Sequence, residues 1–345
     1  MLKLFDWSDV MTSCFPQKIN QTEYIRKNEK RILRKISNGL GFFIFFYYIS
    51  MILLQSVFIV LTNISMDGAS ELTPLFLIET IGAVGSSLLV GLLYLLISNR
   101  KLSDTVATKP VKINLMIPVI FVGMAVSMTA NSASQILAEN FSIFGVENKV
   151  DMSITVTSGV EAVLYIIATA VVPAFAEEFA FRGIILGSLR KYGDVFSIIA
   201  SAVMFGLMHR NTTQIIFAFI LGLIFGFITC KTNSIIPSVI IHFLNNLYAV
   251  ILDMLNTTGV ITDRRYTSIY FLLVALFCIL GLLSFLYLIK NNKSFFNISD
   301  KGILDYVFAE YLTLKDKFVS FFINPGILII GIWFIIETIL NMGAI

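Results

Sequence analysis

Three short motifs place ionisable and polar side chains inside runs that are otherwise apolar: AEEFAFR at 176–182, FGLMH at 205–209 and HFLNN at 242–246. A charge in hydrocarbon costs several kcal/mol unless it is paired or hydrated, so such residues mark a working site before they mark a packing contact. In each motif the residues stand at i and i+4, Glu178 with Arg182, Phe205 with His209, and His242 with Asn246, which puts both members on one helix face. The chain has 2 histidines, and both lie in these motifs. A carboxylate in a low-dielectric cavity holds a proton more tightly than in water and can act as general base toward a water molecule. A neutral imidazole can orient that water or bind a metal through one nitrogen, and an amide or a second imidazole can donate to a developing oxyanion. Together these are the parts of a hydrolase acting on a carbonyl. No HExxH pair and no GxSxG elbow is present.

The bland reading is that a lone histidine or one Glu–Arg pair merely locks helices together. A double Glu, an Arg, two His and an Asn on three helices at matching depth exceed what packing requires. Glu79 and Glu337, each alone near the end of an apolar run, read as structural residues. Pro173, one turn before Glu177, is expected to kink its helix and open space beside the carboxylates.

The elements that must position these residues are membrane spans. Of the 345 residues 57% are hydrophobic and 14% charged, and the mean hydropathy is +0.85, far too apolar for a soluble domain of this length. A span needs about 20 apolar residues. Candidates fall at 40–62, 75–97, 113–136, 157–186, 195–210, 214–230, 235–253, 268–289 and 319–341. The fold class expected is therefore all-α, a polytopic transmembrane bundle of about 8–9 helices around a central polar cavity. The runs at 195–210 and 214–230 are short and could be two tilted spans or one broken pair. Glu177 lies sixteen residues before Gly193 and His209 sixteen after it, so an antiparallel helix pair brings them level. His242, about seven residues into its own span, sits roughly 10 Å deep and is expected to face the same cavity.

Four segments follow: a basic N-terminal segment, 1–38; N-terminal spans, 39–156; a core holding the three motifs, 157–255; and C-terminal spans, 256–345, with an interfacial helix near 294–318. Lys and Arg cluster before the first span and in alternate loops, with Arg264 and Arg265 as the exception, which predicts a cytoplasmic N-terminus. No cleavable signal peptide is expected, because nearly forty mostly polar residues precede the first span. Cys14, Cys230 and Cys278 are too scattered to suggest a disulfide framework or a thiolate zinc site. The basic residues form no stripe that would track a phosphate backbone, so no nucleic-acid partner is expected.

The ordered set EExxxR (Glu177, Glu178, Arg182), FxxxH (Phe205, His209) and HxxxN (His242, Asn246) resembles the CAAX protease and bacteriocin-processing (CPBP, or Abi) family, which includes the type II CAAX prenyl endopeptidases. The resemblance covers about 160–255. It implies an α-helical intramembrane bundle with a conical cavity, and an intramembrane endopeptidase acting on a hydrophobic or membrane-anchored peptide among membrane lipids. It assigns Glu177 as the base activating water with help from His209, Glu178 as an assisting group held by Arg182, and His242 with Asn246 as the oxyanion side. Asn246 is preferred to Asn245 for its i+4 relation to His242. The resemblance leaves zinc open: His209, His242 and Glu177 or Glu178 could supply a ligand set, and they also suffice without metal, the arrangement favoured here. Composition inclines toward a bacterial plasma membrane. Two other classes remain: a non-catalytic scaffold or bacteriocin-immunity protein keeping the fold, and a proton-coupled transporter, which would be expected to show repeated halves.

Overall fold

A computed structural model describes residues 21–62, 72–143, 146–148, 154–297 and 311–344. It is an all-α polytopic bundle. The helices are α1 (Gln21–Thr62), α2 (Leu72–Ile97), α3 (Ile113–Ile143), α4 (Gly159–Tyr192), α5 (Asp194–Leu207), α6 (Thr212–Thr232), α7 (Ile236–Thr257), α8 (Asp263–Asn291), α9 (Leu314–Phe322) and α10 (Pro325–Asn341). Among the described residues 7 helices are long and apolar enough to cross a membrane, or 8 if the bent pair α9–α10 is one span. One small addition to the helices is a two-stranded antiparallel pair, β1 (Val146–Asn148) with β2 (Met342–Ala344), in register Val146 to Ala344. The expected interfacial helix near 294–318 falls largely outside the described residues.

Each boundary has a local cause. Asn211 caps α6 by accepting from the amides of Thr213 and Gln214, and Asn233 closes it in the left-handed conformation at φ 50°. Pro237 opens α7, where the lost N–H has no helical partner to miss. Thr262 caps α8 through the Arg265 amide. The Thr313–Asp316 capping box starts α9, and Asp316 also binds Arg26 (2.6 Å) and Lys30 (2.7 Å), tying the C-terminal part of the chain to α1.

Two of the candidate runs depart from single straight spans. The run at 195–210 is not a full span. α5 has 14 residues, about 21 Å at 1.5 Å per residue against a hydrocarbon core of about 30 Å. The chain turns at 208–211, with Arg210 at φ 53°, and returns as α6. The two helices touch through small residues: a Cβ on Gly222 would come within 2.8 Å of the Ala202 Cα. The run at 319–341 is likewise not one straight helix. It bends by 70° between α9 and α10, where Asn324 accepts from the Ile327 amide (3.1 Å) and Pro325 cannot continue the preceding helix. The corner is pinned to α1 by the Gly326 amide donating to Asn38 Oδ1 at 2.8 Å.

Apolar side chains on the outer helices remain exposed, as lipid-facing surface must: Phe271 and Leu272 of α8 are 61% and 70% accessible. The interior runs through α4–α7, where Ile184, Ala200, Phe225 and Ile241 are fully buried.

Candidate active site

α4, which carries the first motif, changes helical register along its length. It is α-helical over Gly159–Ile166, widens to π-helix over Ile167–Val171, returns to α over Val172–Glu178, and widens again over Phe179–Leu186. Pro173 stands at the start of the second α segment. Its missing N–H falls directly after the π-type register slip over Ile167–Val171. Inserted π turns of this kind concentrate at functional positions. Here one lies on each side of Glu177 and Glu178.

The two glutamates have different surroundings. Glu178 has 0% side-chain exposure and sits 2.9 Å from Arg182 Nη1, itself at 0%. The same carboxylate oxygen, Oε1, lies 3.1 Å from His242 Nδ1. Glu177 is the more open of the pair, with 19% of its side chain accessible, and its Oε2 is 3.9 Å from His242 Nε2. His242 therefore stands between both carboxylates. A carboxylate only accepts, so Nδ1 is the protonated nitrogen toward Glu178 and Nε2 is the edge turned to Glu177.

Phe205 is the hub that joins the motifs. The Arg182 guanidinium lies over its ring at 4.1 Å and over Phe225 at 5.1 Å, a cation–π geometry that steadies a buried cation. The rings of His209 (5.0 Å) and His242 (6.1 Å) meet Phe205 edge-on. His209 Nδ1 is 2.8 Å from the Phe205 carbonyl, which can only accept. That bond fixes the proton on Nδ1 and leaves Nε2 with a free lone pair. The structure thus brings Glu177, Glu178, Arg182, His209 and His242 together, with His209 reached through Phe205.

Asn246 is placed differently. Its Nδ2 donates to the Thr169 carbonyl in the first π segment (3.1 Å), and its Oδ1 accepts from Asn245 Nδ2 (3.1 Å), while Ser127 of α3 donates to Asn245 Oδ1. Asn245 and Asn246 form one strap joining α3, α4 and α7. One N–H of Asn246 remains beyond the Thr169 bond.

Glu79 is an exposed residue of α2. Glu337 is not the lone structural acid the sequence suggested. It binds Arg210 at 2.6 Å and accepts from Trp333 Nε1 at 2.6 Å. Arg210 stacks on Tyr48 at 5.2 Å, the Tyr48 hydroxyl donates to the Met208 carbonyl at 3.2 Å, and Asn341 donates to the Arg210 carbonyl at 3.1 Å. These residues clamp the turn that follows His209. Trp333 and Glu337 at i and i+4 were the available signal, together with an arginine in an apolar turn.

Several polar atoms of the group are buried without a hydrogen-bond partner among the described residues: Glu177 Oε2, Glu178 Oε2, and Arg182 Nε and Nη2. Buried polar atoms demand a polar occupant. A zinc ion fits the arrangement poorly. Glu178 Oε1 is committed to Arg182 and His242, and among the described residues no three His, Cys, Asp or Glu side chains stand as a ligand set.

Residues 159–248 match the family described as "Type II CAAX prenyl endopeptidase Rce1-like". Over that stretch the chain is similar to the CAAX (CPBP) proteases. All three motifs lie inside that match, as do the π segments of α4. A curated relative is the Bacillus subtilis (strain 168) protein "Putative membrane peptidase YdiL", 28% identical over 114 residues, which are 32% of this chain and 47% of that one. The aligned part spans about half the length of this relative. No solved structure matches the chain. The 7 helices long and apolar enough to cross a membrane among the described residues make this an integral-membrane protein.

Proposed function

We propose that the chain is an intramembrane endopeptidase that hydrolyses a hydrophobic or membrane-anchored peptide with a water molecule activated by Glu177. The observation that carries this reading is the unequal placement of the two glutamates. Glu178 is sealed from solvent, with Oε1 held by both Arg182 and His242, whereas the Glu177 side chain is 19% accessible and lies 3.9 Å from His242 Nε2. Glu178 and Arg182 are positioning residues that hold His242, and His242 Nε2 flanks Glu177.

In the reaction Glu177 takes a proton from water as the water oxygen bonds to the scissile carbonyl carbon. The resulting oxyanion is received by the remaining N–H of Asn246 and by His242 in its imidazolium form, which donates from Nε2 while Nδ1 stays bound to Glu178. His209, with Nδ1 occupied by a backbone carbonyl, offers Nε2 to orient the water. Collapse breaks the C–N bond, and the proton on Glu177 passes to the leaving amine nitrogen. Atoms and charge balance without a further reactant. The segment 157–255 acts as the catalytic core and the flanking spans build its walls.

Processing of a membrane peptide in matched membranes holding wild type, Glu177→Ala or His209→Ala tests this reading. Loss in both variants with normal protein levels is the expected result. Unchanged processing in both would favour a non-catalytic scaffold. Chelation of divalent metal is expected to leave the activity in place.

A further inference from the structure

Away from the motifs, α1 and α2 diverge to form a groove of about 890 Å³ that is apolar along its length and cationic at one end. Phe42, Phe46 and Leu53 of α1 and Leu89 and Leu93 of α2 line it. From Lys35 to Leu53 it follows α1 for roughly 27 Å at 1.5 Å per residue, long enough to lay an acyl chain along the helix. Gly39 keeps its upper part open, since a Cβ there would meet only the Tyr94 ring at 3.7 Å.

Three cations converge on the rim from three separate places in the chain: Lys35 of α1, Arg100 just after α2, and Lys191 at the end of α4. Arg100 and Lys191 lie within electrostatic reach of each other. Glu29 is the acid facing them from α1 and offsets one of the three charges. Lys191 already has Glu29 as a partner charge, while Lys35 and Arg100 make no side-chain hydrogen bond or ion pair among the described residues and would be offset by an anion at the mouth of the groove.

We propose that this groove is a binding site for an anionic phospholipid, whose phosphate sits among Lys35, Arg100 and Lys191 and whose acyl chain lies between α1 and α2. Charge complementarity with hydrocarbon below selects such a lipid over a neutral one, since basic pockets between transmembrane helices take anionic headgroups. The site reports on α4: Tyr94, in the groove wall, is 3.3 Å from Ser188 through their hydroxyls, and Gly91 packs against Phe179, the residue after Glu178. The proposal stands independently of the hydrolytic reading.

The test is native mass spectrometry of the full chain released from nanodiscs of equal parts phosphatidylglycerol and phosphatidylcholine. Retained lipid is expected to be enriched in phosphatidylglycerol. Lys35→Gln and Arg100→Gln should each lower that enrichment about fivefold. Lys290→Gln/Lys293→Gln, exposed cations that do not line the groove, should leave it unchanged. Gly39→Leu, which fills the groove, should reduce retention of both lipids. Equal retention of the two lipids by wild type overturns the proposal, as does an equal fall in the Lys290/Lys293 variant, which would mean only general interfacial attraction.

Discussion

Glu177 and Glu178 are neighbours in sequence with opposite physical situations, and single substitutions should separate them. Glu178→Ala leaves Arg182 buried at 0% exposure without its carboxylate, a change that costs about 3–5 kcal/mol when one member of a buried pair is removed. Thermal unfolding of the purified chain should show this as a large drop in midpoint, and Glu178→Leu/Arg182→Leu should recover much of it. A Glu178→Ala variant as stable as wild type would remove the pair from its holding role. Glu177 makes no such pair, so Glu177→Gln should unfold near the wild-type temperature while losing hydrolysis. The Glu178–Arg182 contact was legible in the sequence because i and i+4 on one helix leave little freedom. The Asn245–Asn246 strap was not: it depends on Thr169 and Ser127, on helices that sequence order does not place beside α7.

The placement of His209 depends on elements more than on its own side chain. α5 stops after 14 residues, and the turn that follows is held from below by α10 through Arg210 and Glu337. Charge-swapping Arg210→Glu/Glu337→Arg should restore activity lost in Glu337→Ala. The loss is expected in kcat with KM little changed, because the clamp positions His209 and does not touch substrate. A KM effect alone, or no rescue by the swap, would make the clamp a plain structural contact. This contact bridges 127 residues, so periodicity and motif spacing in either helix could not foretell it. Hydropathy did locate both segments, but the break at Asn324–Pro325 splits an apolar run that hydropathy alone reads as continuous. Gly326→Ala tests that corner: the added methyl points at the Asn38 carbonyl and should cost about 1–3 kcal/mol, the range for overpacking, read as a lower unfolding midpoint.

For the molecule as a whole, hydropathy and the three ordered motifs were enough to indicate a helical membrane bundle and a resemblance to CAAX proteases over about 160–255, where the family match runs from 159 to 248. The remaining spans carry no comparable motif, and their arrangement follows from close packing such as Gly41 on Gly326, which leaves no trace in composition. Orientation is a property of this scale. With native cysteines replaced by serine, Lys27→Cys and Lys293→Cys should react with an impermeant maleimide only after the membrane is opened, and Thr258→Cys should react from outside. The reverse pattern would invert the topology. The central claim, water activated by Glu177 inside the membrane, is tested most directly by running processing in H₂¹⁸O and comparing the C-termini of released peptides by mass spectrometry. Wild type should yield new C-termini carrying one ¹⁸O, and Glu177→Gln, at equal protein level, should yield them about 10²–10⁴-fold more slowly. Labelled peptides appearing at the same rate in both would contradict it.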